Sequence, residues 1–370
     1  MKKRHVLVYV SPANHARLAG IGRCAREEGW QLTIIDRLAR QPRGWKGDGA
    51  LVTLRDNPAT VALVKSLRRA SIPVVDMSLN EPDVKVPRVS GDHFEMGRLA
   101  REHLNERNYR NLAWYSTCYL NVHRLRYEGF AQGDTIARWV LSEAVDSDRI
   151  DDFTVYEKWI AAKLKKAPKP LGLLAYDEAD AARVIGACLA QDINVPGDVA
   201  VIGIGGDRIV CENQQIPITS VEHDQGRTGY EAAKLLAKLM DGEKPPKKPI
   251  LIPPRGITVR ASTDAIAAKS RIVRDALDYI RSHLDQPFGL TQVAEYLNVP
   301  RNTLSKMFSE EIGRTLGDET MRERIELAKR LIAQDSMTMA EIAYKTGFCN
   351  PGYFSNAFKA RTGVTPKNFK

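Results

Sequence analysis

Two segments near the carboxyl end repeat one another at a spacing of about 49 or 50 residues, and this repeat constrains the fold more tightly than any other feature. In the first copy Leu290, Val293, Ala294 and Leu297 fall at i, i+3, i+4 and i+7, one apolar face of a short helix. Asn298-Val299-Pro300 breaks the pattern, and a second helix turns Leu304 and Phe308 inward. In the second copy Met339, Ile342 and Ala343 repeat the short helix, Gly347-Phe348 the turn, and Phe354 and Phe358 the inward pair. Thr338 and Glu341 have capping-box spacing, so each can satisfy the other's orphan amide. Gly347 stands where a left-handed residue must end a helix. A short helix, a tight turn and a second helix, twice over, is the sequence form of a double helix-turn-helix. Met321, Ile325, Ala328 and Ile332 predict a longer helix between the copies, and Ile272, Ala276, Leu277 and Ile280 a leading one. At the end, Gly363-Val364-Thr365-Pro366 stops one helix and starts another with proline at its first position.

These residues carry a resemblance. Leu304, Phe308, Gly313, Arg324 through Ala328, Leu331, Glu341-Ile342-Ala343, Gly347-Phe348, Tyr353-Phe354, Phe358, Gly363 and Thr365-Pro366 match the AraC/XylS family of DNA-binding domains in order and spacing. The resemblance implies that both second helices enter successive major grooves of a double-stranded DNA operator, about one helical turn apart. On the first recognition helix Arg301, Asn302, Ser305 and Lys306 are the expected exposed positions; asparagine suits adenine, and lysine suits guanine or a phosphate. Two departures stand out. Pro300 occupies the place of the family's capping serine. The second recognition helix offers Asn350, Ser355 and Asn356, with no Arg or Lys before Lys359, so it is expected to hold the backbone more than to read bases.

The first 260 or so residues alternate short apolar runs with amphipathic helical stretches, the signature of α/β architecture with parallel sheets covered on both faces. Strands are expected at 6–10, 31–35, 49–53, 73–75, 86–89, 111–115, 171–175 and 199–204, and helices at 12–28, 58–70, 94–105, 178–191 and 224–241. Two tandem sheets, one either side of roughly residues 92–108, would leave a cleft beyond the carboxyl ends of their strands. The strand pattern stops near 262–269. The expected domains are therefore 1–262, a linker at 263–270, and an all-α domain at 271–370.

This module resembles the LacI-type ligand-binding domain, itself similar to periplasmic sugar-binding proteins. The carrying stretches are Gly20-Ile21, Gly29-Trp30, Asp48 through Leu51, Ile72-Pro73-Val74, Val89 through Asp92 with Gly97, Arg126 through Phe130, and Pro196 with Asp198 through Gly203. A module of this kind joined to an AraC-type tail, in this order, resembles the xylose-operon-regulator family. The resemblance implies a homodimer, a small sugar effector with a pentose such as xylose favoured, activation of transcription, and RNA polymerase as a further partner. Carried over position by position, Asp92 and Arg126 match the family's cleft residues, and Asp177-Glu178 stand where relatives have an Asn-Asp pair. After Ile204 the family places a sugar-gripping aspartate; here Gly205-Gly206 occupies that place and Asp207 follows. The alternative is a regulator whose cleft takes a non-sugar ligand, or none, and serves only to dimerise.

Composition sets the remaining bounds. The formal charge of +10 favours an anionic partner, but residues 271–370 hold 15 Lys or Arg against 12 Asp or Glu, a net of +3, so charge does not locate it. No apolar run reaches the ~18 residues of a membrane span, and the basic start leads into only five apolar residues, a buried strand and no export signal. The five dispersed cysteines argue against a disulfide framework or a zinc site and fit a reducing cytoplasm. Gly203-Ile204-Gly205-Gly206 lacks the final glycine of a dinucleotide loop, and phosphate-loop, zinc-protease and nucleophile-elbow motifs are absent, so neither catalysis, a cofactor nor a metal is expected.

Overall fold

The computed structural model describes residues 3–10, 14–35, 42, 44–55, 58–146, 149–150, 152–265, 267–268, 270–333 and 337–369 (backbone alone at 330 and 333). The expected helix start at residue 12 and the linker positions 266 and 269 lie outside them. The chain divides into two compact units, Met1–Glu106 with Arg110–Asp264, and Arg107–Tyr109 with Ala265–Lys370.

Along the first unit run β1 (His5–Tyr9), α1 (His15–Glu27), β2 (Gln31–Ile35), β3 (Gly49–Val52), α2 (Pro58–Arg69), β4 (Val74–Asp76), β5 (Val89–Gly91), α3 (His93–Glu106), β6 (Asn111–Ser116), α4 (Asn121–Ala131) and β7 (Ala137–Val140). They continue with α5 (Phe153–Lys166), β8 (Leu171–Ala175), α6 (Glu178–Leu189), β9 (Val199–Ile204), α7 (Arg208–Glu212), β10 (Thr219–Val221), α8 (Gln225–Met240), β11 (Ile250–Ile252) and β12 (Ile257–Thr258).

The first sheet is parallel, in the order β2-β1-β3-β4. Successive side chains of a strand point to opposite faces, so β1 feeds two cores. Val6 and Val8 pack with Ile21, Cys24 and Leu236 of α1 and α8, while Leu7 and Tyr9 pack with Leu63, Val64 and Leu67 of α2. That double burial is why the run reads as continuously apolar. The second sheet has the order β12-β10-β9-β8-β6-β7, parallel except for β12. Trp114, Tyr115 and Phe130 are fully buried there, each worth about 1.5–3 kcal/mol of transfer free energy.

The chain passes between the two lobes three times: from β5 into α3, from β10 into α8, and from β11 towards β12. The strand expected at 86–89 forms instead at Val89–Gly91. Pro87 has no amide for a ladder, and Arg88 bridges back to Asp76. Four short strands, β7, β10, β11 and β12, have too few residues for a pattern and were not anticipated from sequence.

The second unit is helical: α9 (Arg271–Ser282), α10 (Leu290–Tyr296), α11 (Arg301–Ile312), α12 (Leu316–Ala333), α13 (Met339–Lys345) and α14 (Pro351–Thr362), closed by a 3-10 turn at Pro366–Asn368. The repeat extends to its stop signals. Asn298 and Gly347 take left-handed φ of 53° and 73° in the two turns, and Gly313 and Gly363, at 77° and 80°, end the two second helices. A side chain at Gly347 would put its Cβ 2.1 Å from the Leu284 carbonyl oxygen, so this glycine is required by space as well as by φ. The capping box at Thr338 and Glu341 forms, with Glu341 accepting from the Thr338 amide at 2.7 Å. The first core holds Val273, Leu277, Val293, Leu304 and Phe308; the second holds Ile325, Ile342, Phe348, Phe354 and Phe358. Leu327 of α12 packs against both, so one helix joins the two helix-turn-helix units.

Candidate ligand cleft and nucleic-acid interface

The sensor residues gather where strands end and the chain crosses between lobes. Asp92 lies on the β5–α3 crossing, accepts from the Glu95 amide at 3.0 Å and donates its own amide to Ile252 on the β11 crossing. Next to it His93 is buried. Arg126 projects from α4, where its side chain is 4% exposed. Its Nε donates to His93 Nδ1 at 3.2 Å, its Nη1 donates to the Tyr176 carbonyl at 2.5 Å, and its guanidinium lies 4.4 Å from the Tyr176 ring centroid. His123 stacks on the same ring, 3.7 Å between centroids. Because Arg126 donates to Nδ1, the neutral His93 ring carries its proton on Nε2, beside Ser90 Oγ.

From the β10–α8 crossing comes His223, edge-on to His93 at 5.6 Å. Gln225 at the start of α8 donates to His223 Nδ1 at 2.7 Å and accepts from Arg17 Nε at 2.8 Å; Arg17 also donates to Thr53. His223 therefore carries its proton on Nε2, a buried donor with no partner. Burial and the neighbouring guanidiniums of Arg126 and Arg17 hold His93 and His223 well below the usual imidazole value. Burial, with Arg126 and Arg55, holds His123 at about 3. Burial also lowers Arg17, to about 10.

Asp177 and Glu178 open α6. Asp177 is its N-cap, accepting from the Asp180 amide at 2.8 Å. Glu178 is buried; it accepts from the Gly206 amide at 2.6 Å and from the Ser220 hydroxyl, while burial raises its carboxyl above the ordinary value. These contacts explain the Gly205-Gly206 pair. A Cβ at Gly205 would lie 2.5 Å from Glu178 Oε2, and one at Gly206, where φ is +81°, would lie 2.2 Å from Glu222 Oε2. The space of the missing aspartate is thus filled by glutamates from two other segments. Asp207 does not replace it: it is exposed and caps α7, accepting from the Ile209 and Val210 amides.

Asp92, Asp177 and Glu178 therefore sit at strand ends and a crossing, Arg126 reaches towards them from α4 through His93 and Tyr176, and Asp207 is turned to a cap. Sequence reasoning missed Arg17, Arg55, His93, His123, Tyr176, His223 and Gln225. The position of Tyr176 between β8 and Asp177 was the available signal; His223 follows β10, a strand the sequence did not show. Away from this cluster a shallow depression of about 730 Å³ lies between α3 and α4, lined by Phe94, Arg98 and Tyr127.

In the helical unit Leu304 and Phe308 turn inward, leaving Arg301, Asn302 and Lys306 exposed on the outer face of α11 and Ser305 half-buried. Lys306 has only a loose ion pair, 3.9 Å to exposed Glu310. Pro300 is the N-cap of α11 and supplies no side-chain acceptor. In the second unit Asn350 is committed as N-cap of α14, accepting from the Tyr353 amide at 2.7 Å; Asn356 is exposed and Ser355 half-buried. The two arrays are thus equivalent in placement and unequal in charge. Among the described residues no group of His, Cys, Asp and Glu is arranged to hold a metal, and no helix is long and apolar enough to cross a membrane.

Comparison with known proteins agrees with this division. Residues 101–263 match a periplasmic binding protein-like domain, and residues 293–370 a helix-turn-helix domain. The chain is 27% identical to the xylose operon regulatory protein of Escherichia coli over 100% of its own length and 97% of that protein's. It is 28% identical to the xylose operon regulatory protein of Haemophilus influenzae, covering 85% of this chain and 83% of the relative. Among solved structures, a xylose-binding transcription activator superposes over 100% of this chain and 98% of the other, with a TM-score of 0.64 at 24% identity. That likeness shows the shared fold along the whole length.

Proposed function

We propose that this DNA-binding transcription regulator, a periplasmic-binding-protein-like sensor joined to a double helix-turn-helix tail as in the xylose operon regulatory proteins, is governed by a small polyhydroxylated ligand held in its interlobe cleft. The observation that carries the reading is that Asp92, Asp177 and Glu178 lie at strand ends near the crossings and that Arg126 of α4 is bonded to the neighbours of the first two, His93 and Tyr176. Paired acceptors and donors in an enclosed site are what sugar hydroxyls require. The chain acts as a homodimer, and Arg301, Asn302, Ser305 and Lys306 of α11 read bases in one major groove. Asn350, Ser355 and Asn356 of α14 hold the adjacent groove, chiefly through its backbone. A ligand changes DNA affinity only by its differential binding to two arrangements of the dimer, with couplings typically about 1–3 kcal/mol. Activation through contact with RNA polymerase is the outcome this tail supports by resemblance.

The test is thermal melting of the full chain against pentoses, hexoses and sugar acids. A ligand at ~100 times its Kd stabilises the native state by about 2.7 kcal/mol. A selective shift that Asp92→Ala abolishes is the expected result. No shift with any member would remove the sensing role and leave a module that only dimerises.

A further inference from the structure

We propose that the effector is an anionic sugar, a polyol bearing one acidic group, which the cleft recognises through Arg126 and Arg17; this rests on the sensing role given above. The geometry supplies the argument. Arg17, Gln225, His223, His93, Arg126 and Tyr176 form one run from the first lobe to the second, linked by hydrogen bonds except for the edge-on ring contact between His223 and His93. Among the described residues no carboxylate pairs with Arg17, Arg55 or Arg126. The carboxylate that acts on Arg17, Asp76, is already engaged by Arg88 at 3.1 Å and by the Leu54 and Ser78 amides.

A guanidinium as buried as Arg126 is costly without a counter-charge. Its present partners, a carbonyl, a neutral imidazole and an aromatic face, are all uncharged. The neighbouring histidines cannot help: each already accepts at Nδ1, and His223 presents a buried Nε2 donor that no acceptor meets. Burial first, and then the guanidiniums of Arg126 and Arg17, hold both rings below the usual imidazole value. A carboxylate or phosphate accepts from several such donors at once and supplies the missing charge.

Acidic groups elsewhere in the cleft do not fill this role, because none of them pairs with these guanidiniums and three have donors of their own. Asp92 and Asp177 cap α3 and α6, and Glu178 is held by Gly206 and Ser220. Glu222 packs over Gly206. Those groups remain suited to hydroxyls, so the ligand carries both functions: hydroxyls for Asp177 and Glu178, an acidic group for Arg126, Arg17 and His223. The neutral pentose favoured by resemblance would leave the guanidiniums unpaired.

Titration calorimetry of the full chain would compare matched compounds: a hexose, its uronate, its aldonate and its phosphate, with inorganic phosphate as the bare anion. An acidic sugar should bind at least tenfold more tightly than the neutral parent and than inorganic phosphate. The uronate and phosphate arms tell which acidic group is meant. Arg17→Gln should reduce that preference at least tenfold, and Arg17→Lys, which restores the positive charge, should recover part of it. Equal or tighter binding of the neutral parent overturns the inference and leaves the sensing role standing. Binding of inorganic phosphate as tight as that of the acidic sugar overturns it as well. Silence across every compound overturns both.

Discussion

Glu319→Gln should loosen the helical unit where its two helix-turn-helix halves are joined. Glu319 lies in the first turn of α12, fully buried, and its carboxylate accepts from Arg314 Nε at 2.5 Å and from Arg322 Nη2 at 2.7 Å; Arg322 continues to Glu323. Glutamine keeps the shape but removes the charge and turns an amide donor towards two guanidiniums. Hydrogen bonds to charged groups are worth about 1.5–3 kcal/mol each. The Arg314 and Arg322 side chains are 33% and 28% exposed, so both recover water when released and the upper limit is not reached. A loss of about 2–4 kcal/mol follows, against about 3–5 for breaking a fully buried pair. At ~4–8 °C per kcal/mol for a unit of ~100 residues, the tail should melt about 8–32 °C lower in scanning calorimetry of the full chain. The effect also has a pH signature. Burial alone would push the Glu319 carboxyl up; the Arg322 and Arg314 guanidiniums outweigh it and hold the group below its ordinary value. A carboxylate held low contributes stability that is present above its unfolded value, ~4.3, and is lost as pH falls through the folded one. The gap between wild type and variant should be full at pH 7 and close on acidification below about pH 4. A gap under about 1 kcal/mol at pH 7, or one unchanged by acid, would refute the reasoning.

Three further perturbations probe the same unit. Gly347→Ala forces a side chain into a left-handed turn and against the Leu284 carbonyl, and should cost the tail about 2–4 kcal/mol in urea titration. Thr338→Ala removes one half of a formed capping box and should cost about 1 kcal/mol, with Glu341 no longer holding its proton so weakly. Asn302→Ala with Lys306→Ala touches only exposed side chains, so it should leave the melting temperature nearly unchanged while abolishing specific operator binding in a gel-shift titration. Undiminished affinity in that double variant would place base reading elsewhere than α11.

How far the sequence carried these conclusions depended on whether a constraint was local. The helical unit was legible almost to the residue, because helix periodicity, the Thr338–Glu341 box and the left-handed stops at Gly313, Gly347 and Gly363 are written within a few positions of where they act. The parallel strands β1, β3, β8 and β9 were legible because burial on both faces leaves an unbroken apolar run. β10 and β11 were not: three residues each cannot show a period, and their pairing partners lie far away in sequence. The cleft was harder still. Asp92 and Arg126 were found by resemblance, whereas the chain from Arg17 through Gln225 to His223 joins residues more than 200 positions apart. Nothing local marks such a set.

The Gly205-Gly206 pair and the second recognition helix were both read from sequence as losses, of a sugar-gripping acid in one and of base-reading cations in the other. Space accounts for the first: Glu178 and Glu222 already occupy the volume that any side chain at 205 or 206 would enter. Commitment accounts for the second. Asn350 spends its carbonyl on the Tyr353 amide, which the first unit does not ask of Pro300, and the helix it caps presents Ser355 and Asn356 where α11 presents Ser305 and Lys306. A unit that anchors without reading has a definite consequence. Base changes in the half-site under α14 should cost less than the ~1–3 kcal/mol typical of a read position, and changes under α11 should cost the full amount. Equal penalties across both half-sites in a systematic operator scan would show that the two units read alike, and that small polar groups suffice where the cations are absent.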